Sequence, residues 1–138
     1  MRYYFPLILI IISNIFYHNA TKKMPEDANV CLSLAATYAV SFVGVLFTYI
    51  ITGNNLAKDI HNINWTSFVL GISLIGVEFG YILMYRFGWK MNTGSLLANV
   101  CVSLFLILIG GLFYKEIINL KQIVGIAFCL IGIFLVSR

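Results

Sequence analysis

The sequence predicts an all-α integral membrane bundle of five transmembrane helices, on three observations. Apolar residues make up 61% of the chain and charged residues only 10%, where a soluble domain carries about 25% charged residues. The mean hydropathy is +0.95. The apolar residues also fall in continuous runs, and a span needs roughly 20 of them at about 1.5 Å rise each. In a chain of 138 residues, five spans take up roughly 100 to 110 and leave about 30 for connections, too few for a soluble domain. A soluble enzyme, a nucleic-acid module and a receptor with an ectodomain are therefore excluded. The isoelectric point near 9.1 rests on nine Lys and Arg against five Asp and Glu. Basic residues this sparse read as interface anchors rather than a nucleic-acid footprint.

Helix 1 is expected over residues 3–19, through the run from Pro6 to Ile12. Arg2 ahead of that run suggests a secretory signal, but a cleavage site needs small residues in an A-x-A-like pattern. His18-Asn19-Ala20 puts a histidine there, so a retained helix is expected. Lys22-Lys23-Met24-Pro25-Glu26-Asp27 ends helix 1; the proline and the acids suit the start of helix 2, expected over 28–52. Gly53-Asn54-Asn55 breaks it, and a polar stretch follows to Asn64. Helix 3, over 65–89, is framed by Trp65 and Trp89, with Arg86 and Lys90 beside the second, the aromatic and basic marks of membrane interfaces. Gly88 to Asn92 reads as a turn, helix 4 covers 93–114, Lys115 to Lys121 forms another turn, and helix 5 covers 118–136. Barrel strands would alternate apolar and polar residues over about ten positions, which these runs do not.

Five spans place the two termini on opposite sides. Arg2, Lys58, Lys115 and Lys121 then face one side, and Lys22, Lys23, Arg86, Lys90 and Arg138 the other. Orientation follows the excess of Lys and Arg on the cytoplasmic side, and four against five gives almost none. Two topologies are open. In one, local cues set a single orientation; in the other, the chain inserts both ways and pairs with an inverted copy, as inverted repeats do in many transporters.

Glu78 is the most informative residue. It follows Trp65 by 13 positions and precedes Trp89 by 11, close to the bilayer midplane. An acid there costs about 2.5 to 3.5 kcal/mol on insertion scales and faces the protein interior or a water-filled cavity. It is expected to exchange a proton, to pair a cationic substrate, or to hydrogen-bond between helices as structural glue. Tyr81 and Tyr85 follow at i+3 and i+7 on or near the same face; interface anchoring is the other reading of Tyr85. Gly76 and Gly80 form a G-x-x-x-G pair toward the opposite side, suited to close helix packing. Ser95, Asn99 and Ser103 form a polar stripe on helix 4, lining a cavity or bonding across helices. Thr37, Ser41, Gly44 and Thr48 on helix 2 read as packing. Asn14 and His18 stand at i and i+4 on helix 1, Asn14 toward the cavity and His18 toward the interface. Cys31, Cys101 and Cys129 fall one per helix in no metal or redox spacing and read as small apolar packing. No P-loop, HExxH or nucleophile elbow occurs, and His61 has no catalytic companion, so neither an enzyme, a cofactor nor a metal site is expected.

The region from Gly88 onward carries a family resemblance. A short turn leads into a small-and-polar-rich helix from Thr93; Lys115-Glu116 and a turn follow; then Lys121-Gln122-Ile123-Val124-Gly125 leads into Ile131-Gly132-Ile133. The chain resembles one EamA-type domain of the drug/metabolite transporter superfamily over nearly its whole length. Family members similarly end the fourth helix in a glycine–glutamate pair, which Glu116 matches while Lys115 replaces the glycine. The proline common within that helix is missing, with Val102-Ser103 there instead. The chain is distantly similar to the small multidrug resistance proteins, four-helix antiparallel dimers whose coupling glutamate sits in the first helix. Ser13 and Asn14 stand in that region here, so that mechanism does not carry over directly.

The resemblance implies a secondary transporter for a small metabolite, drug or organic cation in a bacterial or archaeal plasma membrane, and Glu78 within a span points to proton coupling. The expected partners are membrane lipid, a small-molecule substrate, and a second copy (antiparallel) or a homologous half; no nucleic acid is expected. Glu78, Tyr81, Asn99, Ser103 and Asn14 are the expected substrate or coupling residues, with Tyr85, His18 and Ser95 secondary. A lipid-linked sugar flippase subunit and a non-transporting scaffold subunit are the alternatives.

Overall fold

The structure is a computed structural model that describes residues 3–53, 59–115 and 119–136. Among them run five α-helices: α1 (Phe5–Lys22), α2 (Val30–Ile51), α3 (Trp65–Arg86), α4 (Met91–Phe113) and α5 (Leu120–Val136), with a single 3-10 turn at Ile60–Asn62 ahead of α3. The expected start of the last helix at Ile118, the family-matched Glu116, Asn54 and Asn55 of the expected break, and Arg2, Lys58 and Arg138 of the charge balance lie outside the described residues.

By length and composition, α2, α3 and α4, at 22, 22 and 23 residues, are long and apolar enough to cross a membrane. The other two helices do not meet that standard. α1 has 18 residues and closes on His18, Asn19, Thr21 and Lys22. α5 has 17, about 26 Å of helix against a hydrocarbon core of about 30 Å. The third helix ends at Arg86 rather than at Trp89, because Gly88, at φ 87°, turns the chain ahead of Lys90.

The chain divides into two compact units, Met1–Asn19 with Phe87–Arg138, and Ala20–Arg86. In the first unit α4 packs on α5, with Gly94 and Gly110 of α4 buried. In the second, α2 packs on α3 around Leu34, Ile82 and Tyr85. Two tethers hold the connections of this second unit. The Tyr49 hydroxyl donates to Asp59 Oδ2 at 2.9 Å, and the Arg86 guanidinium donates to the carbonyls of Pro25 and Ala28 in the α1–α2 turn. Most large apolar side chains remain exposed, Phe42, Val45, Phe68 and Ile72 among them. A span has no reason to bury such groups, because lipid tails are as apolar as a protein core.

Several polar residues inside the helices are satisfied locally. Asn14, Thr37, Thr48, Ser95 and Ser103 each donate to the carbonyl four residues back. This answers the requirement that polar groups in hydrocarbon be hydrogen-bonded without a second helix. The helix ends follow local chemistry too. Asn29 caps α2 by accepting from the Leu32 amide at 3.1 Å, and Gly53 at φ 68° ends it. The three cysteines are free and exposed, so they face outward rather than filling the interior as their sequence positions suggested.

Candidate functional site

Each unit holds its own group of the residues singled out by sequence. In the first unit, Asn14 and His18 on α1 and Ser95 and Asn99 on α4 line one cavity of about 490 Å³. Both pairs are spaced i, i+4, which puts each on one helix face. Ile10 and Ile11 line it farther along α1, and Asn19 and Asn92 toward the other end. The volume is that of a small-molecule site, typically roughly 300–1,000 Å³ with mostly apolar walls and a few polar groups.

The polar groups differ in what they have left to offer. The Asn14 amide already donates to the Ile10 carbonyl at 3.0 Å, and Ser95 to the Met91 carbonyl, which leaves their oxygens as acceptors. The Asn99 side chain makes no hydrogen bond among the described residues, so both its amide donors and its acceptor remain for a ligand. His18 is 9% exposed, the one buried polar side chain among the described residues, and meets the Tyr17 ring edge-on at 5.1 Å. It is part of the cavity wall, near the end of α1. Ser103 lies beyond the cavity lining: it is exposed, and its hydroxyl donates to the Asn99 carbonyl at 2.8 Å.

In the second unit Glu78 is half-buried on α3 and interacts with the Tyr38 hydroxyl of α2. The Tyr38 oxygen is enclosed and has no hydrogen-bond partner among the described residues. Sequence spacing pointed to Tyr81 and Tyr85 as the companions of Glu78. Their rings pair with each other, 6.2 Å apart and tilted 31°, and Lys22 sits 5.6 Å over the Tyr85 ring. Tyr85 thus belongs to the helix-end cluster, in keeping with interface anchoring. Tyr38 sits one position off the Thr37–Thr48 stripe, so the spacing of that stripe does not point to it. The available signal was a tyrosine eight residues inside an apolar span, away from the interfaces where tyrosine is enriched.

Among the described residues nothing stands within 4 Å of where a Cβ of Gly76 or Gly80 would be, so the G-x-x-x-G pair meets no neighbour within its own unit. Among the described residues no grouping of three or more His, Cys, Asp or Glu is placed to hold a metal.

Apolar helices of spanning length, an acid within one of them and a cavity walled by two helices define a polytopic membrane protein with the features of a small-molecule carrier. The profile of the EamA-like transporter family matches residues 2–138, and the chain belongs to that family, which is one of transporters and not of enzymes. No curated protein and no solved structure gives a significant match to the chain.

Proposed function

We propose that the protein is a proton-coupled secondary transporter for a small metabolite or organic cation, working as an antiparallel homodimer in the plasma membrane. The observation that carries this reading is Glu78, the one acid of the sequence within a span, facing the Tyr38 hydroxyl of the neighbouring helix. An ionisable group inside a span marks an ion or substrate path, and a hydroxyl partner on another helix gives its proton somewhere to be sensed. The cavity of Asn14, His18, Ser95 and Asn99 supplies neutral hydrogen-bonding groups suited to orienting a small polar molecule. In the proposed cycle α1 and α5 also cross the membrane, and two inverted copies rock about a midplane site in alternating access. Support for the second copy comes from the near-equal charge on the two sides and the open glycine face of α3.

The test is flux in liposomes reconstituted with purified protein, screened over small metabolites and organic cations across a pH gradient. Glu78→Gln is expected to abolish the response of flux to the gradient while leaving binding of a neutral substrate measurable. An unchanged pH response in the variant would remove Glu78 from coupling. Absence of any flux with a well-folded parent protein would favour a scaffold subunit.

A further inference from the structure

A second, smaller cavity, of about 150 Å³, lies among the end of α1, the α1–α2 turn and the end of α3, with Lys22, Glu26, Tyr85 and Arg86 in its wall. Its two cations are held in place. Lys22 Nζ stands 5.6 Å over the Tyr85 ring and 3.5 Å from the Tyr85 carbonyl. Arg86 spends one terminal nitrogen on the Pro25 and Ala28 carbonyls, while its Nε–H is buried without a hydrogen-bond partner. Enclosing a charged donor without an acceptor is unfavourable, and the acceptor it lacks is an anionic oxygen. Glu26 lines the same cavity, leaving two cations to one carboxylate. The volume is below the roughly 300 Å³ of sites that enclose a whole small molecule, so it suits one anionic group. Its depth is that of the interface: Lys22 and Arg86 end their helices, and Trp89 follows three residues on. Lipid phosphates lie at that depth, and basic pockets between helices are where anionic headgroups bind.

We propose that this cavity binds a phosphate group, that of an anionic phospholipid, between Lys22 and Arg86. The site is separate from Glu78 and from the α1–α4 cavity, and does not depend on their transport role. Lys22 contributes the charge; Arg86 contributes the planar donor that a phosphate oxygen can meet while still holding the turn. Glu26 weakens the site and keeps exchange fast.

The neighbouring Lys23 provides the control: like Lys22 it is exposed, but it lies outside the cavity wall. The full-length protein is purified in neutral detergent at physiological ionic strength, which screens exposed charges beyond about 8 Å. Occupancy by phosphatidylglycerol and by phosphatidylcholine is read by native mass spectrometry, and inorganic phosphate is titrated separately. Phosphatidylglycerol is expected to be preferred, and Lys22→Gln to lower its occupancy about tenfold, the effect of one charge-assisted hydrogen bond. Lys23→Gln should change it little, Lys22→Arg should retain it, and Glu26→Gln should raise it. Binding of inorganic phosphate that Lys22→Gln removes, without lipid preference, would uphold the phosphate site and assign it a soluble source. Equal losses in Lys22→Gln and Lys23→Gln, or neither lipid preference nor phosphate binding, would overturn it. Lys22→Arg keeps the test decisive should Lys22→Gln fail to fold.

Discussion

Two side chains show how much a single position decides. Tyr38 faces the one acid inside a span, so removing its hydroxyl alters the surroundings of Glu78 without emptying the space its ring fills. Tyr38→Phe is expected to change the pH profile of flux and lower kcat/KM roughly tenfold, the scale of a hydrogen bond to a charged group. A pH profile matching the parent's would leave Tyr38 a packing residue. Lys115 adopts φ 54°, a left-handed backbone that is roughly 1–2 kcal/mol unfavourable for a residue with a Cβ. The resemblance places a glycine there, and the backbone gives the reason: glycine takes that conformation freely. Lys115→Gly should stabilise the protein by up to about 1 kcal/mol, since glycine's greater freedom in the unfolded chain offsets part of the relief. The midpoint of thermal unfolding in detergent measures this, and a fall in the midpoint would show that the Lys115 side chain matters more than its backbone.

Among the elements, α3 combines the most roles. One end carries Arg86, which fixes the α1–α2 turn; Glu78 faces α2; Gly76 and Gly80 face open space. An open glycine face on a spanning helix allows two backbones to approach closely, which is the use proposed for it between copies. Gly80→Leu should therefore leave the fold of the single chain intact, because its Cβ meets nothing within 4 Å. It should lower the cross-linked dimer fraction in membranes several-fold, by steric exclusion at a close helix contact. An undiminished dimer would place the contact on another helix. The hydroxyl stripes of α2 and α4 contribute less than their spacing suggested. Thr37, Thr48, Ser95 and Ser103 each bond to their own helix, so no partner helix is required to satisfy them.

At the scale of the whole molecule, orientation is the open property with the largest consequence. With five spans, as proposed, positive charge divides four against five between the two sides, and the rule that sets orientation acts on the difference. With reporters fused to the C-terminus, one active in the cytoplasm and one outside, both are expected to give signal from the unmodified chain. Two lysines added to either side should shift the population to a single orientation. Signal from one reporter alone would end the dual-topology proposal and leave a homologous partner half as the route to a complete transporter.

Composition and run length determined the class, the five helices and most of their ends, because insertion into lipid depends on local hydrophobicity and on capping chemistry such as Asn29 and Gly53. The i, i+4 pairs Asn14/His18 and Ser95/Asn99 were legible for the same reason: helical periodicity fixes which residues share a face. Which faces meet was not legible. That α1 and α4 line one cavity, that His18 is buried in its wall, and that Tyr38 of α2 lies near Glu78 were decided by tertiary packing alone. In spans that are apolar nearly all round, the hydrophobic pattern does not single out one face for burial, so shape and a few polar contacts between helices choose the arrangement.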